Sequence, residues 1–315
     1  MIEQMTVYKE IPKFLNVQIQ TTSFCNGRCK MCPYLDSWHH NNPGKMNDGL
    51  FDKIIKDLKN FKIGKFCLYL ENEPLMDHKL LSRIEKSLSL VKCEVFELST
   101  NANPKNFEFF RKLINLMGRW KKSELWISFH GTSKETYEHI MGISFSKALK
   151  NTIYLLKLAQ ETTNIKVVLR GAGQAIISPE SMPFHFSEKE YLKFWNKIFK
   201  KEKIETKNVE IRYLKYHDRA GSIERNEYNY QKAFRNQLKD FYCPRIDQWI
   251  HILYNGDVII CCNDYHREVV YGNLKKQNIA EIFSSDKYRE VKDILSNRVP
   301  VPNNFICLRC NKIGG

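Results

Sequence analysis

No apolar run in this sequence approaches the roughly 18 residues that a membrane-spanning helix needs. The N-terminus, MIEQMTVYKE, has no apolar stretch of the signal-peptide kind. These two absences give a cytoplasmic expectation. Internal repeats and low-complexity tracts are missing too, so each segment is read on its own. No nucleic-acid-binding signature accompanies the formal charge of +15. With Lys and Asn both abundant, that charge reads first as a general surface bias; an anionic partner such as a phosphorylated substrate, an acidic peptide or RNA is the alternative. What is present is material for a core: 43% hydrophobic and 12% aromatic residues exclude a disordered or coiled-coil chain. A length of 315 residues suits one large domain plus a small appendage.

Without an export signal, the ten cysteines point to metal or redox chemistry rather than disulfides. Three crowd into Cys25–Cys32, two pairs lie late (Cys261–Cys262 and Cys307–Cys310), and Cys67, Cys93 and Cys243 stand apart.

Short β-rich runs alternate with helical patterns over the first two thirds. Strands are expected at 14–20, 66–70, 93–99, 124–129, 164–170 and 208–214. Helices are expected at 46–61 (with Asp48 as N-cap), 78–91, 106–117, from the fourth strand to about Gln160, and 188–201. Six strand–helix units imply a parallel sheet with right-handed crossovers, as an open or partial barrel or a doubly wound sheet. Residues 215–242 read as a linker with one short helix. Beyond it, 249–260 reads as two strands around Asn255-Gly256, followed by a helix at 277–296.

Cys25, Cys29 and Cys32 follow the spacing C-x3-C-x2-C in TTSFCNGRCKMCPY. Structural zinc asks for four ligands, and only His39 and His40 stand near enough to be tested as the fourth. A cube-shaped cluster with three protein ligands instead leaves one iron open. The loop after the first strand of a barrel is also where catalytic centres sit.

This segment resembles the signature of the radical S-adenosylmethionine superfamily. The resemblance implies an α/β fold, a partial (β/α)6 barrel over residues 1–214, with a [4Fe-4S] cluster on Cys25, Cys29 and Cys32 and S-adenosylmethionine on its open iron. It further implies cofactor contacts at Met31, before the third cysteine, and at Glu73, in a turn (LENEPL) similar to the family's Gly-Gly-Glu-Pro. Asn101 in STNA, Ser128, and Arg170 at the end of the fifth strand are implied as well.

Cys243, Cys261, Cys307 and Cys310 are four thiolates, enough to complete a cluster or a zinc site. The segment GDVIICCNDYHREVVYGNL resembles the short C-terminal auxiliary-cluster module called twitch, related to SPASM. That implies a second [4Fe-4S] cluster in a small α+β domain over 243–315, after a linker at 215–242. Cys262 is left over as a buried hydrophobe, an alternative ligand or, as in some radical epimerases, a hydrogen-atom donor. His130 and Arg219 are candidate substrate contacts.

Three functions compete. The first is radical oxidation or epimerisation of a small polar substrate (sugar, cyclitol or sugar nucleotide). The second is modification of a ribosomally made peptide, which the mere 24 residues before Cys25 disfavour unless a separate recognition protein supplies leader binding. The third is electron transfer without catalysis. An electron donor such as flavodoxin or ferredoxin is the expected partner of either enzyme.

Overall fold

The structure, a computed structural model, describes residues 15–173, 186–223, 237–238 and 241–310. The strands are β1 (Leu15–Ile19), β2 (Ile63–Cys67), β3 (Cys93–Thr100), β4 (Ser123–Ser128), β5 (Ile165–Gly173), β6 (Val209–Lys215), β7 (Trp249–Ile252), β8 (Asp257–Ile259) and β9 (Val270–Asn273). Among the described residues they form one sheet in the order β6-β5-β4-β3-β2-β1-β7-β8-β9. Every pairing from β6 to β7 is parallel, and β8 and β9 close the sheet antiparallel. The order decides between the two sequence readings. A doubly wound sheet reverses direction at its first strand, whereas this one winds one way from β1 to β6 as a partial barrel does.

The helices are α1 (Trp38–Asn41), α2 (Asp48–Asp57), α3 (Leu80–Leu88), α4 (Phe107–Met117), α5 (Lys134–Met141), α6 (Phe145–Gln160), α7 (Glu188–Glu202), α8 (Pro244–Gln248), α9 (Ile279–Phe283) and α10 (Asp286–Leu295). Leu50, Phe51, Ile54 and Ile55 of α2 and Phe110, Leu113, Ile114 and Met117 of α4 share one core with Val17, Ile19, Phe66, Phe96, Leu98, Leu125 and Leu169 of the strands. Those strand positions alternate with polar ones, so the other face of the sheet carries Gln18, Lys65, Glu97, Glu124 and Arg170. A parallel sheet covered on both sides would read as continuous apolar runs. Here the inner face is polar, and Lys65 bridges Glu97 and Glu124 across it at 2.5 and 3.1 Å.

Several expectations need correction. Asn47 rather than Asp48 caps α2, its Oδ1 accepting the Leu50 N–H at 2.7 Å, while Asp48 is the first helical residue. β2 lies three residues earlier than expected, because the chain leaves the ladder after Cys67. The helix expected before Gln160 is two, broken where Gly142 adopts a left-handed φ of 64°. The helix expected at 277–296 is also two, and Ser285 caps the second through the Tyr288 N–H. β9 had no strand signal, and the expected short helix of the linker falls largely outside the described residues. β7 extends the first sheet beside β1.

Candidate active site

The loop between β1 and α2 is closed at its base by Ser23 N–H to Gly44 O and Met46 N–H to Thr21 O, both 2.9 Å. Its middle is fastened to the end of α5, where Arg28 N–H donates to Met141 O (2.9 Å) and Lys30 N–H to Ile140 O (2.8 Å). Gly142 makes that approach possible: a Cβ there would lie 2.9 Å from Arg28 Cβ. On the loop so held, Cys25 N–H donates to Tyr34 Oη at 2.9 Å and Cys32 N–H to Cys29 O at 3.0 Å. A Cβ on Gly27 would stand 3.4 Å from Cys29 Sγ, 3.6 Å from Cys25 Sγ and 3.7 Å from Asn101 Nδ2. Glycine thus keeps a cradle open between two sulfurs. Burial, then repulsion from Cys29, Glu73 and Cys32, pushes the Cys25 thiol well up, and burial with Cys32 does the same to Cys29. To be held here as thiolates, these cysteines would need a cationic group among them.

Glu73, after β2, is 3% exposed. Its Oε1 accepts from Thr100 Oγ1 (2.6 Å) and Leu75 N–H (3.0 Å), and its Oε2 from Asn101 N–H (2.7 Å). Burial still raises its carboxyl to about 7. Asn101 donates through Nδ2 to Asn26 Oδ1 at 2.9 Å. Glu73 and Asn101 therefore flank the cysteine cradle. Met31 is buried in the apolar core.

A second group gathers at the ends of β4 and β5. Arg170 donates to Ser128 Oγ at 2.7 Å. His130 Nδ1 accepts the Ala172 N–H at 2.9 Å, which leaves the ring proton on Nε2. Burial, with the charges of Arg170 and Arg219 behind it, holds His130 well below its ordinary range and neutral. Arg219 arrives from the segment after β6, which the C-terminal part holds in place: Arg309 Nε donates to Ala220 O (3.1 Å) and Ser222 Oγ to Asn263 O (3.3 Å). Tyr265, Cys32, Cys262 and Glu71 surround its guanidinium and raise it against the effect of burial.

Cys243 precedes α8, Cys261 follows β8, and Cys307 and Cys310 lie on a short turn whose Cys310 N–H donates to Cys307 O at 3.3 Å. Cys243, Cys261 and Cys310 all act on Arg245. Its guanidinium is raised first by Cys262 and then, against burial, by Cys261, Cys243 and Cys310. Arg245 Nη1 donates to Cys262 Sγ at 2.7 Å. Cys262 also hydrogen-bonds Cys261, which is the first cause of the raised Cys261 thiol. Cys67 is buried, but on the polar inner face near Glu97 and Tyr69 rather than in the apolar core.

Both sets fit iron–sulfur clusters in donor chemistry. The first offers three thiols, two of them on either side of an open cradle, and the second four thiols, three of them near a guanidinium. Among the described residues no three His, Cys, Asp or Glu side chains stand grouped as the ligands of a single metal ion. Nor is His39 free to complete the first set. Its Nε2 lies 3.0 Å from Glu71 O and 3.2 Å from Ser37 Oγ, and its Nδ1 faces the Glu71 carboxyl at 3.2 Å.

Four residues escaped the sequence reading. Tyr265 lies with its Oη 3.8 Å from Cys32 Sγ and joins the C-terminal part to the first cysteine loop. Arg245 and Tyr34 had no local signal, since only the fold brings them to sulfur or to the cysteine backbone. Glu71 did have one, a carboxylate where the resembled turn carries glycine. It is 5% exposed, both of its carboxyl oxygens lack a well-formed hydrogen bond, and burial, followed by Asp264, Cys262 and Cys32, pushes it well up.

Comparison with known proteins agrees with this geometry. Residues 19–174 match the radical SAM superfamily, and residues 243–311 match the iron–sulfur cluster-binding domain named SPASM. The chain is similar in structure to BtrN solved with AdoMet and 2-DOIA (TM-score 0.56, 14% identity, covering 96% of this chain and 94% of that one). It is also similar to Streptococcus suis SuiB bound to its precursor peptide SuiA (0.56, 13%, 89% and 67%). A third likeness is to anSMEcpe with bound AdoMet (0.53, 17%, 88% and 82%). A search of curated proteins gave no match. Among the described residues no helix is long and apolar enough to cross a membrane. The chain belongs to the radical SAM superfamily, an enzyme of [4Fe-4S] clusters and S-adenosylmethionine with a SPASM-type domain toward its C-terminal end.

Proposed function

We propose that this enzyme oxidises a carbinol of a small polar substrate (a sugar, cyclitol or sugar nucleotide) to a carbonyl. Cys25, Cys29 and Cys32 hold the first cluster, and Cys243, Cys261, Cys307 and Cys310 the second. When bound, these groups would supply, with S-adenosylmethionine and one electron from a donor such as flavodoxin or ferredoxin, a radical that removes the carbinol hydrogen, and the second cluster would accept the electron left on the substrate. Glu73 and Asn101 orient the methionine end of the cofactor, and Ser128, fixed by Arg170, its ribose. His130 keeps its proton at Nε2 and donates to a substrate oxygen. The hydroxyl proton released as the carbonyl forms passes to water, because the Glu71 carboxyl, pushed well up by burial and facing His39 Nδ1 at 3.2 Å, is no base for it.

One observation carries oxidation over epimerisation. An epimerase needs an S–H aimed at its substrate, and the tie of the Cys262 sulfur to the Arg245 guanidinium at 2.7 Å favours an anchored acceptor over a hydrogen-atom donor. Four other thiols already suffice for the second cluster. Reconstituted enzyme should therefore yield one carbonyl product per 5′-deoxyadenosine, and Cys262→Ala should keep both iron content and product. An epimer as product, abolished in Cys262→Ala, would overturn the proposal. So would turnover confined to peptides.

A further inference from the structure

Gln18 and His251 are partners in the parallel register of β1 and β7, and Gln18 also faces Cys67 of β2. Gln20 follows two residues on, on the same face. All three side chains are buried, at 7%, 0% and 0% exposure for Gln18, His251 and Gln20. Gln18 Oε1, both amide atoms of Gln20 and both ring nitrogens of His251 have no hydrogen-bond partner. Folded proteins leave few buried polar atoms unpaired, and five in one place on the inner face ask for an explanation. They lie opposite the apolar helix side, since Val17, Ile19, Ile250 and Ile252, the alternate residues of the same strands, belong to the core.

We infer that Gln18, Gln20 and His251 form a subsite for the hydroxyl groups of a polyol ring. This assignment rests on the oxidation reading above and adds the place where the substrate's hydroxyls bind. Each carboxamide offers both a donor and an acceptor, and a neutral imidazole offers one of each. Burial, with the Arg245 charge second, lowers His251 to about 3, so it brings no charge. Five neutral atoms of mixed polarity complement hydroxyls, which donate and accept at once. The cation that reaches this spot is Arg245, whose guanidinium is already engaged by Cys262 at 2.7 Å and by the Trp249 ring at 5.8 Å, so the subsite's own atoms are neutral. Trp249 sits two residues before His251 on the same face, its ring stacked on the imidazole at 5.9 Å and 5°. Stacked on His251 and covered by Arg245, the indole holds the imidazole in place within the subsite. The competing occupant is ordered water.

The test uses reconstituted holoenzyme with S-adenosylmethionine, and myo-inositol, scyllo-inositol, D-glucose and D-glucosamine as probes, followed by calorimetry and tryptophan fluorescence. At least one polyol should bind and change the fluorescence. Gln20→Leu should weaken that polyol at least tenfold and raise the thermal midpoint of ligand-free enzyme, because it removes two unpaired atoms. The inference is overturned if no probe binds, if Gln20→Leu binds as tightly as wild type, or if the variant melts lower, as loss of a water network would require. The same wild-type preparation is assayed for 5′-deoxyadenosine without any polyol. Failure there overturns the catalytic reading, whereas success without polyol binding overturns the subsite alone.

Discussion

Gly142→Ala should loosen the first cysteine loop while leaving the second cysteine set intact. The glycine ends α5 with φ 64°, and its N–H donates to Glu138 O at 2.9 Å. A left-handed backbone costs a residue with a Cβ about 1–2 kcal/mol. The new methyl would also stand 2.9 Å from Arg28 Cβ, and the backbone-tethered Cβ cannot swing aside as a flexible side-chain end could. Overpacking of this kind costs about 1–3 kcal/mol, for a total of about 2–5 kcal/mol. In a chain of this size that corresponds to a fall of several degrees in melting temperature. Relief of the clash must come from the loop, whose Arg28 and Lys30 N–H groups are bonded to the end of α5. Iron bound after reconstitution should therefore drop by up to half. Gly49→Ala is the control: it lies within α2, its Cβ would come no closer than 3.7 Å to the Asn47 side chain, and it should stabilise by about 0.4–1 kcal/mol. Differential scanning calorimetry and iron analysis read both variants. A Gly142→Ala protein that melts with wild type and binds full iron would refute the reasoning.

Arg83→Ala should cost about 3–5 kcal/mol in urea unfolding, because it leaves a buried carboxylate unpaired. Arg83 bonds Asp77 at 2.5 Å, Thr21 O at 3.1 Å and Met46 O, and the pair is 4% and 1% exposed. The acid limb of stability should carry a His39 signature. Burial lowers His39 to about 4, so below pH 6.5 the unfolded chain takes up the proton first. The stability is present above pH 6.5 and is lost as pH falls toward 4, by about 3 kcal/mol in all. Glu71 faces the ring and shifts the opposite way, so the signature is read as wild type minus His39→Gln; equal slopes for the two would contradict it.

Much of the barrel could be read from local pattern. The alternation in Leu15–Ile19 marks a strand and also assigns Gln18 to the inner face. The spacing of Cys25, Cys29 and Cys32 marks their loop. What stayed hidden was long-range. Nothing local in Trp249–Ile252 says that it pairs with β1, so the continuity of the sheet into the second cysteine set, and with it the meeting of Gln18 and His251, appears only in the fold. Val270–Asn273 is short, contains glycine and lacks alternation. Tyr265 and Arg245 are ordinary residues until packing sets them against Cys32 and Cys262. The break at Gly142 was readable as a helix C-cap, but the apolar run on either side reads as one helix.

The central claim is that Cys25, Cys29 and Cys32 hold the cluster that starts the chemistry. It is tested most directly by anaerobic assay of 5′-deoxyadenosine formed from S-adenosylmethionine, in wild type and in the Cys25→Ala/Cys29→Ala/Cys32→Ala variant, with iron counted in both. Wild type should bind about eight irons per chain, four in each [4Fe-4S] cluster, and form 5′-deoxyadenosine. The variant should keep about four irons and form none. A wild type with both clusters intact that leaves S-adenosylmethionine uncleaved, or a variant that still cleaves it, would contradict the account.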